Sequence, residues 1–355
     1  MNLDIYISNL KCFEPYLDTN TIFQINTDFE HTMSSSLYAY VQNKIHSNCN
    51  QYAHFTFNTA YKRDETEVIK SSNEKTDKFF NWQRPTLDKN KSDYYIFPGQ
   101  DYLIHYNLLY NYWVNKRRKH TPLQNAKHIK INKVEFNTIW DNINLPNKLG
   151  NTVILGYVKA IKDLEYEEWE EFKVNKQFGY CNHLSSSVTL LGCYHSYWGD
   201  ISGVLVYKLA AYGVRNILYV GKLGSLTPEL KANTDLITGS LSYLKGSIID
   251  WSSNNLCKEL DLPQVRHYSL PSTMLETKAW AIKARTEFDV VDPEIGHMAQ
   301  QALQCGINFG YIHLVTDYLL SENNYEGLHN EREFKSKREK VFIQLKQHLY
   351  NLPIW

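Results

Sequence analysis

The chain has 355 residues, 43% of them hydrophobic, and balances 38 Lys+Arg against 38 Asp+Glu. That length and apolar content suffice for a large buried core and fit two domains better than one. Zero net charge argues against a sequence-independent nucleic-acid binder, which needs a basic excess to neutralise phosphates. The first residues lack the basic-then-apolar order of a signal peptide, and no apolar run approaches the ~20 residues of a spanning helix, so no membrane partner and a cytoplasmic location are expected. Residues 3–7, 21–25 and 53–57 read as strands, and residues 62–78 as a solvated polar stretch. Residues 102–114 have helical spacing, and the basic cluster at 116–118 would end such a helix favourably against its dipole. No motif stands out here, and an α+β accessory domain over residues 1–145 is expected.

The pattern changes after Gly150. Residues 152–156 (TVILG) form a strand closing in glycine, and residues 165–172 a charged, exposed piece. A buried-type strand follows over 188–192, then a helix over 203–212 with Gly213 as its stop. Strands are expected over 216–220 and 235–241, a helix over 293–306, a strand over 311–315 and an amphipathic helix within 330–349. Alternating β and α units predict an α/β domain over residues 146–355, with a central mixed, mainly parallel sheet flanked by helices.

Three segments could carry chemistry. In YVGKLGSL a strand leads into Gly221, Lys222, Gly224 and Ser225, a glycine turn that would expose backbone N–H groups to an anion; the plain alternative is a tight strand exit. In DVVDPEIGHM, Glu294 can accept hydrogen bonds from two vicinal hydroxyls, although Asp292 and Glu294 would also simply favour a helix start. His297, one turn on, reads as structural. In HLVTDYL, Asp317 ends a β-branched run with Thr316 before it, placed either to donate a proton or to cap the next turn.

Cys181, His183, Cys193 and His195 place four nitrogen and sulfur groups within fifteen residues. Their spacing is not that of a zinc finger, and no metal is expected. Six cysteines in all are too few for a disulfide framework and fit a reducing compartment.

Together these segments resemble the purine nucleoside phosphorylase/nucleosidase superfamily, over residues 150–349. The resemblance implies a nucleoside phosphorylase-like fold that cleaves the N-glycosidic bond of a purine-type nucleoside or derivative. Glu294 would hold the ribose, Asp317 would assist the leaving base, and Gly221, Lys222, Gly224 and Ser225 would line a phosphate or water pocket. Gly156, His195, Ser272 and Thr316 would lie near base or sugar, and Glu276 falls in the same base-proximal stretch as Ser272. The chain departs from the family at Tyr219, where phosphorylases usually carry Arg, and lacks their GDPxR loop. Water is therefore expected to compete with phosphate. No organic cofactor is implied, inorganic phosphate being the candidate co-substrate, and a homo-oligomer, dimer or higher, is expected. The alternative is a non-catalytic nucleoside- or nucleotide-binding domain coupled to a partner-binding N-terminal module.

Overall fold

The computed structural model describes residues 25–42, 44–45, 56–59, 86–88, 93–96, 99–117, 140–141, 143–156, 158, 161, 168–175, 177–193, 197–321 and 332–355. The expectations for residues 3–7 and 62–78, and for His195, lie outside these.

The N-terminal part holds α1 (Leu37–Gln42), β1 (Thr56–Thr59), β2 (Thr86–Asp88), β3 (Asp93–Ile96) and α2 (Gln100–Arg117). The three strands form a small sheet in the order β1-β3-β2. Helix α2 covers the expected 102–114 helix and runs beyond it. It is buried on nearly every side: Tyr102, Ile104, Tyr106, Leu108, Leu109, Tyr110, Tyr112 and Trp113 are all inaccessible. An all-round apolar helix needs neighbours on all sides. Residues of α1 and α2 accordingly share one hydrophobic core with the large sheet, alongside Leu155, Leu191, Ile217 and Tyr311. The boundary at 145 thus separates two sequence patterns but not two cores among the described residues.

The remaining elements are β4 (Thr152–Gly156), β5 (Lys173–Val174), β6 (Phe178–Asn182), β7 (Val188–Cys193), α3 (Asp200–Ala211), β8 (Asn216–Ser225), β9 (Leu236–Leu244), β10 (Ser247–Asp250), β11 (Gln264–Ser269), α4 (Lys278–Ala284), β12 (Val290–Asp292), α5 (Ile295–Cys305), β13 (Asn308–Tyr318) and α6 (Arg332–Tyr350). Ten strands make one mixed sheet in the order β10-β9-β11-β12-β8-β4-β7-β6-β5, with β13 pairing both β8 and β9. The longest pairing, β8 with β13, is parallel, as are both pairings of β4. Antiparallel pairs sit at the β5-β6-β7 and β9-β10 edges and where β12 meets β8. Because β13 returns to β9, strands β8, β13, β9, β11 and β12 close a ring.

Helices α3 and α5 lie on one face, where Gly203 approaches the His297 carbonyl so closely that a Cβ would sit 3.0 Å from it. The other face carries Ile154, Leu218, Val220, Ile312 and Leu314 against Val341, Leu345 and Leu349 of α6. Gly306 ends α5 at φ +65°, and Gly213 follows α3 at φ +91°, the left-handed stops expected of glycine.

Two expectations are corrected. The 165–172 stretch is not uniformly exposed: Trp169 is buried and packs on His183, ring centroids 4.9 Å apart. Residues 221–225 are not a turn but the second half of β8, paired with β13 through Ser225.

Candidate functional site

Strand β8 places the site through two glycines that serve as space. A Cβ on Gly221 would lie 2.7 Å from His313 Nε2, across the β8–β13 ladder. Gly224 pairs with two residues at once, Val291 on β12 and Asp317 on β13. There β13 bulges between Val315 and Asp317, as strands often do where a side chain is re-aimed at a site. The Thr316 hydroxyl lies 2.7 Å from Asp317 Oδ1 and 3.0 Å from the Leu223 carbonyl. Its single proton can serve only one of them. With Asp317 protonated, a chain can run from the carboxyl through Thr316 to Leu223 with every group satisfied.

Burial pushes the Asp317 carboxyl up to about 6, against the opposing hydrogen bond from Thr316. Glu276, just past the short 3₁₀ turn Thr273–Leu275, is pushed up further, first by burial and then by the Asp317 charge. Neighbouring carboxyls resist joint ionisation. At about 6, Asp317 titrates within reach of neutral pH, where a group can both give and take a proton.

Glu294 stands at the start of α5, three residues after the strand partner of Gly224. Asp292 Oδ1 accepts from the Glu294 and Ile295 amides, both at 2.9 Å, and so caps the helix entry in the role expected of it. Burial, then the charges of Asp292 and Asp101, raise the Glu294 carboxyl well above its ordinary range. Beneath it lies a buried polar network. His267 Nε2 is 3.0 Å from Asp292 Oδ1, and His267 Nδ1 is 2.8 Å from Ser242 Oγ. His313 Nδ1 is 3.7 Å from Asp292 Oδ2. Burial lowers His313 to about 4, only partly offset by Asp292, so it is neutral. Helix α5 covers the face that carries His313 and Val315, and Asp317 ends that same strand.

The other expected residues fall as follows. Gly156 closes β4 at φ +116°, where a Cβ would meet the Val220 carbonyl at 2.1 Å, so only glycine fits. Strand β4 pairs with β8 only as far as Val220, and β12 joins only at Gly224. The β8 edge at residues 221–223 is thus left without a strand partner on that side among the described residues. Lys222 pairs with Leu314 and alternates with Leu218 and Val220, which puts its side chain on the α6 face, away from α5 and Glu294. Ser225 is turned inward: Thr227 N donates to its hydroxyl and the hydroxyl donates to the Thr227 carbonyl. Ser272 caps the 273–275 turn by accepting from Met274 N at 3.1 Å. His297 Nε2 lies 2.8 Å from Asp101 Oδ2 on α2. Among the described residues no three His, Cys, Asp or Glu groups are placed to hold a metal. No helix among them is long and apolar enough to cross a membrane.

Sequence reasoning gave Glu276 little weight because a capping pattern explains it equally well. Its carboxyl nonetheless feels the Asp317 charge from forty-one residues further on. Asp101 carried no signal, since its partners His297, Asp200 and Lys245 are all distant in sequence.

No protein-family model matches the sequence, and no curated protein matches it. Solved structures do show similarity. A futalosine hydrolase mutant of Helicobacter pylori aligns over 57% of this chain and 99% of its own, at 16% identity and a TM-score of 0.45. The 5'-methylthioadenosine/S-adenosylhomocysteine nucleosidase of Helicobacter pylori, with butyl-thio-DADMe-Immucillin-A, aligns over 57% and 99% at 18% identity and a TM-score of 0.45. Purine nucleoside phosphorylase from Toxoplasma gondii, in complex with immucillin-H, aligns over 56% and 89% at 18% identity and a TM-score of 0.42. These structural neighbours are a hydrolase, a nucleosidase and a phosphorylase, each aligned over little more than half of this chain.

Proposed function

We propose that the chain cleaves the N-glycosidic bond of a purine-type nucleoside or nucleoside derivative. The observation that carries this reading is Asp317 at the β13 bulge opposite Gly224, 2.7 Å from the Thr316 hydroxyl and raised by burial to about 6. A departing purine needs a proton as the bond to the sugar breaks, because its anion is a poor leaving group. A carboxyl titrating near working pH supplies that proton, worth roughly 10²–10⁴-fold in rate.

In this mechanism Glu294 hydrogen-bonds the ribose hydroxyls and orients the sugar. The bonding electrons leave with the base, which takes the Asp317 proton. The ring oxygen then shares its electrons with the anomeric carbon until water adds, the proton it releases passing to Asp317 and restoring the acid. Glu276, its carboxyl raised by burial and by the Asp317 charge, is assigned to the base side. The acceptor approaches along the β8 edge at residues 221–223. We favour water there, with phosphate as the alternative, because strand alternation puts the Lys222 side chain on the α6 face, away from Glu294. Bringing a dianionic phosphate out of water without compensating charge is costly. No organic cofactor enters the scheme.

The test is a panel of nucleosides and nucleotides, incubated with and without phosphate and scored for free base. Base release without phosphate is expected from a purine nucleoside. Saturable binding with no release from any of them would leave the non-catalytic alternative standing.

A further inference from the structure

The turn that carries Glu276 is held by residues far outside it. His31 Nε2 lies 3.1 Å from the Thr273 carbonyl, and Tyr40 Oη lies 2.9 Å from Thr273 Oγ1. The Thr32 amide donates to the Glu276 carbonyl at 3.0 Å, and His31 bridges to Thr277. His105 Nδ1, from α2, lies 2.9 Å from Ser272 Oγ. All four residues precede residue 146. They converge on residues 272–277, whose own bonds are the short-range ones of a single 3₁₀ turn. Such a turn has poor internal hydrogen-bond geometry and little intrinsic persistence.

The holding residues are themselves fastened. Asp28 accepts from Tyr112 Oη on α2 at 2.9 Å and pairs with Lys116 at 2.8 Å. Trp198 stacks on His105, centroids 4.8 Å apart, and donates its indole N–H to the Pro271 carbonyl at 2.7 Å. His31, Thr32, His105 and Ser272 are all buried, so water cannot take over a contact that is lost. Ser272 Oγ accepts from Met274 N and lies within hydrogen-bonding distance of His105 Nδ1. The imidazole is held neutral by burial, reinforced by Lys44, so its Nδ1 either donates to that hydroxyl or accepts from it. An unbroken chain therefore runs from the turn amide through Ser272 to α2.

We propose that the N-terminal region is a built-in strap whose residues His31, Thr32, Tyr40 and His105 position the Glu276 turn against Asp317. Residues 1–145 on this view complete the site from within the same chain rather than form a separate module for another protein. The inference rests on the reading of Glu276 and Asp317 as the base-facing pair. The four are positioning residues: none touches the reacting atoms, and each acts through the turn.

The test is hydrogen exchange on the full chain without ligand, comparing Tyr40→Phe, His105→Leu and His105→Asn with the parent. Asn keeps an amide near the Nδ1 position that can donate or accept, so it serves as the conservative variant. Exchange of residues 272–277 should quicken at least several-fold in Tyr40→Phe and His105→Leu, with β4 and α6 unchanged, and His105→Asn should restore most of the protection. On any nucleoside the parent cleaves, the first two variants should raise KM roughly 3- to 10-fold with kcat within about twofold. Unchanged exchange at 272–277 in both Tyr40→Phe and His105→Leu would overturn the strap, and so would protection lost evenly over the whole chain. Exchange needs no substrate. A parent that cleaves nothing defeats the proposed reaction alone, whereas normal catalysis with unchanged exchange defeats the strap alone.

Discussion

Asp101 and His297 meet at 2.8 Å, Oδ2 to Nε2, and tie the first turn of α2 to the first turn of α5, the helix that begins beside Glu294. Asp101 also joins a reciprocal cap. The Gln100 and Asp101 amides donate to Asp200, and the Asp200 amide donates back to Asp101 Oδ2 at 3.2 Å. Two helix starts thus satisfy one another, with Lys245 closing the cluster 2.9 Å from Asp101 Oδ1. Burial alone would raise the Asp101 carboxyl, but His297 and then Lys245 outweigh it and hold it below its ordinary value.

That depression has a sign. A carboxyl held low in the folded state stabilises the fold above its unfolded value and loses that contribution as pH falls through the folded one. Stability should therefore drop with acidification below pH ~4 in the parent, and less in Asp101→Asn. Asp200, raised by burial and by Asp101, acts in the opposite sense, so its titration falls above that window. At neutral pH, Asp101→Asn should cost about 1–2 kcal/mol, because it weakens the buried contact to His297 while Lys245, 43% exposed, can turn to water. Urea midpoints of the two proteins at several pH values check both statements.

Asp317→Asn should separate stability from catalysis. A carboxyl raised in the folded state weakens the fold as pH climbs from its unfolded value towards about 6, and stays a burden above that. Since Asp317 is only half-buried, the asparagine variant should gain about 1–2 kcal/mol at pH 8 and nothing near pH 3. A variant less stable than the parent at pH 8 would show that the carboxylate makes favourable contacts that this account omits.

The glycines divide by what they face. Gly156→Ala meets the Val220 carbonyl at 2.1 Å with φ at +116°, and backbone cannot yield, so a loss of at least about 3 kcal/mol is expected. Gly224→Ala meets the tip of Leu319 at 2.4 Å, a side-chain end that can rotate, and should cost about 1 kcal/mol. Thermal or urea unfolding that ranks them in the reverse order would refute the assignment of Gly156 as the strand's fixed end.

Much of the α/β domain was legible because each element carries local punctuation. Residues 152–156 end in glycine where the structure ends β4, and α5 stops at Gly306. Strand β8 was read short for the same reason. Gly221 and Gly224 look like a turn in sequence, yet their small size serves His313 and Leu319, about ninety residues further on. Glu294 and Asp317 were legible as motif residues. The Glu276–Asp317 pairing was not, since neither residue's neighbours in sequence reveal it. The N-terminal strap was invisible for a related cause: His31, Tyr40 and His105 follow no pattern, and their contacts are set only when the turn at 272–277 is in place.

Lys222→Met bears on the acceptor. With the side chain on the α6 face, the variant should cleave at the parent rate without phosphate, and phosphate should change neither protein's rate by more than about twofold. Glu294→Gln should instead raise KM about tenfold through weaker ribose contacts. A Lys222→Met protein with a selectively raised KM for phosphate would return the lysine to the site.

The central claim is that Asp317 gives its proton to the departing base. Its most direct measurement is the single-turnover rate of base release by the parent and by Asp317→Asn, from pH 4 to pH 9, on a nucleoside that both bind. The account predicts a parent rate that falls as pH rises through about 6, and an asparagine variant at least about 10²-fold slower at equal saturation. Equal rates, or a variant that is slow only because it binds less, would contradict it.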